Sequence, residues 1–546
     1  MSISTSSSQT TKPKMNSLLR GLLGLLLLFP ACALCSSNLF LLSFNTLQGS
    51  FQKFSLREGA GEFIGLVNYQ NLFENPAFTE SMVFTALQIV VRLLAVAILP
   101  LLLAQAVNTI GKKLSLGIRL LFTLPLAFFG PALVMYGPAY MRDLWGKASI
   151  KGTFLLLDGT ASLAVACALG LIIYSAALRG GNESNGSRKP LLITWAAAFL
   201  GTIAFSLQSF NNLTSLMPNG DAPIGYYLYV TVRNAQGGLT YSISQIMLFF
   251  VSILGIVATV LILSSKLQLK HEPRNEVESL AAQNNPSIPG WVAIVLGGIA
   301  AFAVTLIPLF MSVAKTLSFP DGFSTLEFSS ILRMWGVSIL PPLLVILFIQ
   351  LPVAYLGGLA IGVVRPFGKS SNWLLLLFSP WLFVTSVPLA FATFESFRKM
   401  ELVNSPVALI QPILLSVPML FILTLFFSGQ HFKWQKAREE GTSSMSAFFK
   451  YLIIPSLPLA ALMAALSLLT AAQDLFMPLL TGLSVENHTA TTNILMFLGS
   501  MKPAGTSSII ALFGLPLFIF FFIVFAALQV FYLNRLVLVS APKTTK

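Results

Sequence analysis

SSKLQLKHEPRNEVESLAAQNNPSIPG, Ser264 to Gly290, is a polar passage in a chain of 546 residues that is 55% apolar and only 10% charged. Soluble domains carry roughly 25% charged residues, so the sequence on either side cannot hide its apolar surface in one aqueous core. A mean hydropathy of +0.81 points to hydrocarbon as the solvent. Crossing about 30 Å of hydrocarbon takes roughly 20 helical residues. Apolar runs of that order lie at 17–42, 79–107, 116–140, 153–178, 190–211 and 240–264 before the polar passage, and at 289–314, 329–362, 372–394, 406–429, 450–472 and 508–533 after it. The alternation of a barrel strand is absent from them, and lipid offers no water to an open backbone, so every run is predicted to be helical. The expected fold is an all-α polytopic membrane protein of about twelve transmembrane helices, arranged as two six-helix pseudo-repeats. The chain then divides into a disordered Ser/Thr-rich tail at 1–14, a first half at 15–264, a linker at 265–288, a second half at 289–534 and a tail at 535–546.

A formal charge of +14 would suit nucleic acid if it formed one patch, but the basic residues lie between spans. With the N-terminus inside, 21 Lys and Arg fall on the inner side, 11 on the outer side, and Arg92 in mid-span. That bias predicts a multi-pass protein with both termini cytoplasmic. Arg142, Lys147 and Lys151 make one outer loop an exception. Cys32, Cys35 and Cys167 all lie in expected spans, which implies no disulfide framework. FPAC (Phe29 to Cys32) is faintly like a lipoprotein cleavage box, but the apolar run continues through Leu42, so the first span is read as a retained helix.

Six spans per half give both halves the same orientation, related by an axis along the membrane normal, with a substrate path at their junction. Internal echoes fit a duplication. ILP at Ile98–Pro100 recurs at Ile339–Pro341, Pro125 has a counterpart in Pro380, and Gln208 one in Gln473; the offsets rise from 241 through 255 to 265. Arg92 costs several kcal/mol at its depth unless it faces protein or water. Asp158 on the fourth span is its expected partner, in a structural ion pair or along the path. Gln88, Gln208, Asn211, Asn212 and Gln245, with the aromatic Tyr136, are the other path candidates. Amides and aromatics suit hydroxyl-rich, uncharged solutes, although they serve equally well as glue between helices.

The second unusual stretch is WQKAREEGTSSMSAFFKYLIIPSLP, Trp434 to Pro458, a charged island between the tenth and eleventh spans. Its pattern predicts a short helix, a break at Gly441, a cap from Thr442 or Ser443, and a second short helix leading into the membrane. Pro455 and Pro458 are tolerable near the start of the span that follows. An amphipathic element here suits either the bilayer surface or a groove on a soluble partner.

This run resembles the EAA loop of ABC importer permeases, E-A-A-x-x-x-G followed by I-x-L-P, which docks as a coupling helix into an ATPase subunit. The matching positions are Gln435, Lys436, Ala437, Arg438, Glu439, Glu440 and Gly441, then Leu452 to Pro455. The first Glu and first Ala of the motif are replaced here. FIGLVNYQNLFENPAF from Phe63, MPNGDAPIGYYLYVTVRNAQGGLTYSIS from Met217 and QDLFMPLLTGLSVENHTATTNILMFLG from Gln473 resemble segments of the carbohydrate branch of that family, of the maltose and glycerol-phosphate type. They stand in the same order and cover most of the chain, which reads as two permease subunits fused. The resemblance implies the type I ABC importer permease fold and a sugar or sugar-derivative solute. ATPase coupling would run through Gln435, Ala437, Glu440, Gly441, Phe448, Phe449 and Pro455. The implied partners are two ATP-binding-cassette ATPase subunits that bind ATP and Mg, an extracytoplasmic solute-binding protein and membrane lipid; nucleic acid is not among them, and no cofactor is expected in this chain. The corresponding first-half loop, Leu178 to Pro190, is too short and too rich in Gly, Asn and Ser for such a helix.

Three other readings compete. A twelve-span secondary carrier would explain GVVRPFGKSS (Gly362 to Ser371), but ion coupling calls for Asp, Glu or His near the midplane, and Asp158 and Asp474 lie toward span ends. GKSS also fails as a phosphate-binding loop, because Val363 stands where the Walker pattern needs Gly. Neither a metal-ligand cluster nor a nucleophile constellation is apparent, so ATP hydrolysis and any other enzymatic step are expected in separate subunits. Fused permeases for thiamine or ferric ion share the six-plus-six plan.

Overall fold

The computed structural model describes residues 17–55, 59–133, 150–183, 188–210, 222–273, 287–319, 326–500 and 503–540. The expected tail at 1–14 lies outside these. Among the described residues nine helices are long and apolar enough to cross a membrane, which makes this a multi-pass membrane protein. Their bounds are α1 Leu18–Ser50, α2 Pro76–Thr109, α4 Lys151–Gly181, α5 Lys189–Leu207, α7 Gly237–Ser264, α8 Ile288–Ser318, α9 Phe328–Val364, α12 Ser444–Ala472 and α14 Ala504–Arg535. Shorter helices join them: α3 Lys112–Leu121, α6 Ile224–Arg233, α10 Ala390–Lys399, α11 Val417–Glu439 and α13 Ala490–Gly499.

Three of the expected spans take a different form. Lys112–Leu121 is followed by a single 3-10 turn at Pro125–Ala127, and the rest of 116–140, from 134 on, lies outside the described residues. The run 372–394 is not one helix: 3-10 turns at Gly368–Leu377, Ser379–Trp381 and Val387–Leu389 precede α10. Pro380 and Pro388 remove amide donors and disfavour α geometry at the residues before them, so an uninterrupted helix cannot form. The run 406–429 becomes a turn at Pro406–Leu409 and then α11, which begins at Val417 with Pro418 in its first turn.

The all-helical expectation also misses two small sheets. β1 Gln52–Ser55 pairs antiparallel with β2 Gly59–Phe63 at one end of the bundle. At the other end β3 Leu267–His271, inside the supposed linker, pairs antiparallel with β4 Leu536–Ser540 in the C-terminal tail. The register runs Leu267 opposite Ser540 and His271 opposite Leu536. β4 is wedged beside α4 and β3 beside α11. A Cβ on Gly180 would overlap the Leu538 carbonyl, and one on Gly429 would overlap the Leu269 carbonyl. The buried Arg179 donates to Leu536 O at 2.8 Å. Alternating Leu and Val hide all of β4 except its last residue from solvent. Neither strand announces itself in sequence: the four apolar residues of β4 look like the end of the span before them, and β3, with only Leu267 and Leu269 apolar, reads as part of a polar linker.

Packing across the chain's midpoint is reciprocal. α1 lies against α9, while α8 lies against α2 and α4. α7 packs on the turns at Ser379–Trp381 and Val387–Leu389, and α14 on Pro125–Ala127. Glycines permit both approaches: Gly255 faces Ser379 O, and a Cβ on Gly514 would sit 2.6 Å from the Phe129 ring. Each half therefore contributes its first and last long helices to the other's surface. The apolar core runs continuously through this junction, from Leu28 and Leu39 to Phe391, Phe426, Phe513 and Phe525. The three cysteines are free thiols.

Candidate functional site

The junction between the two halves carries a pair of matched polar contacts. α5 ends at Leu207 and α12 at Ala472, and in each case the next residue is a glutamine with its backbone just outside helical geometry. Gln208 Nε2 donates to Ala204 O, four residues back, at 2.8 Å, and to Phe383 O at 3.0 Å. Its Oε1 accepts from Thr385 N at 2.7 Å and from the Thr385 hydroxyl at 3.0 Å. Gln473 repeats the pattern. Its Nε2 donates to Leu469 O, four residues back, at 3.2 Å and to Phe128 O at 3.0 Å, and its Oε1 accepts from Gly130 N at 2.7 Å. One amide thus satisfies a helix-terminal carbonyl, a cross-half carbonyl and a cross-half N–H two residues on.

The receiving segments have free backbone groups for a physical reason. Both follow a proline turn, Pro125–Ala127 in one half and Ser379–Trp381 in the other, so their carbonyls and amides lack regular helical partners. Phe383 and Thr385 stand 255 places after Phe128 and Gly130, the same offset that separates Pro125 from Pro380. The sequence singled out Gln208 as a path residue and Gln473 only as its echo; Thr385, Phe128 and Gly130 were missed. The echo itself was the available signal.

Beside Gln208 lies a charged cluster within the first half. Arg92 on α2 grips Asp158 on α4 with two prongs, Nε to Oδ2 at 2.8 Å and Nη2 to Oδ1 at 2.6 Å. Gln88, one turn away from Arg92, donates to Asp158 Oδ2 at 3.1 Å. Ser206 and Ser209, near the end of α5, receive Arg92 N–H groups at 3.3 and 3.0 Å. The side chains of Arg92 and Asp158 are 13% and 5% exposed. Two-pronged geometry and surrounding hydroxyls are what a buried pair needs to repay its desolvation. The expected partnership is therefore present. Gln245 on α7 joins neither constellation; its Oε1 and that of Gln88 are buried without a partner among the described residues. Tyr136, Asn211 and Asn212 lie outside the described residues.

The charged island takes a simpler form than a separate pair of short helices. α11 continues unbroken through Gln435, Ala437 and Arg438 to Glu439, and Glu440 caps it. Gly441 turns the chain at φ +95°, a left-handed conformation that a side chain resists. Ser443 then accepts from Ser446 N and opens α12, whose first turns run from Ser444 through Phe448 and a wider turn at Phe449–Ile453 into the apolar helix. The result is a helical hairpin. Ala437 and Ala447 are buried, whereas Gln435, Glu440 and Gly441 are exposed. Phe432, Met445 and Phe449 are exposed to 71, 68 and 50%. Phe448 packs partly on the core instead. Pro455 fixes the hairpin to the bundle through its carbonyl, which accepts from Tyr532 OH at 2.6 Å.

On the first-half side, helix extends from Ile150 to Glu183 and resumes at Lys189. Five residues separate these helix ends, against four at the Gly441 turn, so length does not set the two loops apart; composition does, since no residue from Gly180 to Lys189 is apolar. Among the described residues no group of three or more His, Cys, Asp or Glu is placed to hold a metal ion. No protein-family model matches the chain, and no curated protein matches it.

Proposed function

We propose that this protein is the membrane-spanning permease of an ATP-driven importer for a sugar or sugar derivative, working by alternating access between its two halves. The observation that carries the reading is the hairpin around Gly441. Exposed Phe432, Met445 and Phe449, interleaved with Lys436, Glu439, Glu440 and Lys450, form an amphipathic knob at the end of the bundle that also holds the β3–β4 sheet. A knob of this kind fits a groove on a soluble partner, and by the resemblance of Gln435–Pro455 that partner is an ATP-binding-cassette ATPase. ATP and Mg belong to the ATPase subunits, and a solute-binding protein delivers the solute on the other face.

The reciprocal packing supports a duplicated plan. Counting the two proline-broken segments and α11 as crossings gives twelve passages, six per half, with both termini on the side of Gly441 and the basic loops. By charge bias that side is the cytoplasm, and the membrane is the bacterial inner membrane. The first-half loop carries no apolar residue from Gly180 to Lys189, so the two ATPase contacts are unequal, and the Gly441 hairpin bears most of the coupling.

Met445→Asp combined with Phe449→Asp tests the reading better than any change at Phe448, which also supports the core. Charge at desolvated anchors costs roughly 2 kcal/mol or more per site. The variant should insert normally and lose both solute uptake and co-purification of the ATPase. Full ATPase recovery would refute the docking role. Labelling from outside intact cells supplies a second check: a cysteine at Glu62 should react and one at Gly441 should not.

A further inference from the structure

The inference rests on the permease reading and concerns what passes between the halves. At each clasp the receiving backbone offers one carbonyl and one N–H two residues apart, Phe383 with Thr385 and Phe128 with Gly130. A partner for such a pair must both donate and accept. A primary amide does so, and so does a hydroxyl group. A carboxylate only accepts, an ammonium only donates, and an apolar group does neither. Parting the halves strips both backbone pairs of their glutamine partners at one moment, and buried backbone groups left unpaired are costly. The cost falls away only if the incoming molecule restores the same donor and acceptor pattern.

We propose that Gln208 and Gln473 are paired gate latches, each occupying backbone groups that a hydroxyl of an uncharged polyol takes over when the path opens. The two clasps are thus the closed gate and, once open, the solute's two contact points, one on each half. Neutral character is built in: every group named here is an amide, a carbonyl, an N–H or the Thr385 hydroxyl. Near Gln208, Arg92 and Asp158 neutralise each other, and beside Gln473 the Asp474 carboxylate accepts from Phe476 N instead of joining the clasp. Because the clasps repeat the same bonds in opposite directions, neither half can swing away while the other latch holds. Opening requires both.

The test uses the full chain reconstituted alone in liposomes, without ATPase, and follows osmotic swelling in mannitol and in gluconate, which match in size and differ in charge. The wild type should be sealed to both. Gln208→Ala and Gln473→Ala should each leave the second latch in place and change mannitol entry little. The double variant should admit mannitol at least about tenfold faster, the scale of losing two or more hydrogen bonds, with gluconate entry unchanged. Gln208→Met with Gln473→Met keeps the side-chain length while removing donor and acceptor together, and should behave like the double alanine variant. If both double variants, shown to be folded, are as tight as wild type, the latches are only structural glue. If mannitol and gluconate enter equally, the opening is a plain water-filled gap and the polyol contact is wrong. Neither result touches the ATPase-capture experiment, so failure of the gate and failure of the permease reading are separable.

Discussion

Asp158→Asn tests the logic of the buried pair most sharply. The change keeps the shape of the side chain and removes its charge. Arg92 would then be left 13% exposed on an intramembrane helix, bonded to Ser206, Ser209 and one amide oxygen, with no carboxylate paired to it among the described residues. Stranding one member of a buried pair costs roughly 3–5 kcal/mol, and the Gln88 amide loses part of a charge-assisted bond, about another 0.5–1.5 kcal/mol. The loss should therefore total about 4 kcal/mol or more. Arg92→Leu with Asp158→Leu removes both charges together and should be much milder, within about 2 kcal/mol of wild type, because replacing a whole buried pair with apolar groups is often neutral. Equilibrium unfolding in mixed micelles measures both, with reactivity of the buried thiols Cys35 and Cys167 as the probe of opening. A double variant as unstable as Asp158→Asn, or a single variant within 1 kcal/mol of wild type on the scale of surface pairs, would refute the reasoning and leave the cluster as a solvated feature of the path.

Gly441→Ala should cost about 1 kcal/mol through its left-handed backbone alone, and Gly441→Pro should unseat the hairpin; both are read from thermal unfolding and ATPase capture. Gly429→Leu would drive a side chain into the Leu269 carbonyl, so β3 should leave α11 and the β3–β4 strands should become open to trypsin at Lys270, while the equivalent substitution at Ser428, which donates to Asn372, spares them. At the same sheet, burial with Arg535 and Lys433 nearby pushes the His271 imidazole down to about 4, against the pull of Glu272. The folded form therefore favours the neutral ring, which stacks on Tyr532 at 4.8 Å. Its contribution is complete above pH 6.5 and is lost as pH falls toward 4, so proteolysis of β3 should accelerate across that window, and His271→Phe should flatten the dependence.

Composition and run length were enough to determine that the protein is helical and multi-pass, because hydrocarbon forces every backbone group to be satisfied within its own segment. The Gly441 turn and the Ser443 cap were equally legible, since left-handed geometry and a capping hydroxyl are local needs met by particular residue types. The pairing of Arg92 with Asp158 could be anticipated from cost alone, as an intramembrane guanidinium needs an acid and few acids are at hand. The rest required the tertiary structure. Pro125, Pro380 and Pro388 mark breaks, yet only the folded chain brings the freed backbone of each broken segment to a glutamine from the opposite half. β3 and β4 lie more than 260 residues apart, the one reading as polar linker and the other as the end of a span, until they meet between Gly180 and Gly429. The sheet joins backbone groups that every residue carries, and each clasp joins a glutamine amide to such groups, so the receiving side cannot be announced by side-chain identity and is fixed only when packing across the two halves sets the distance.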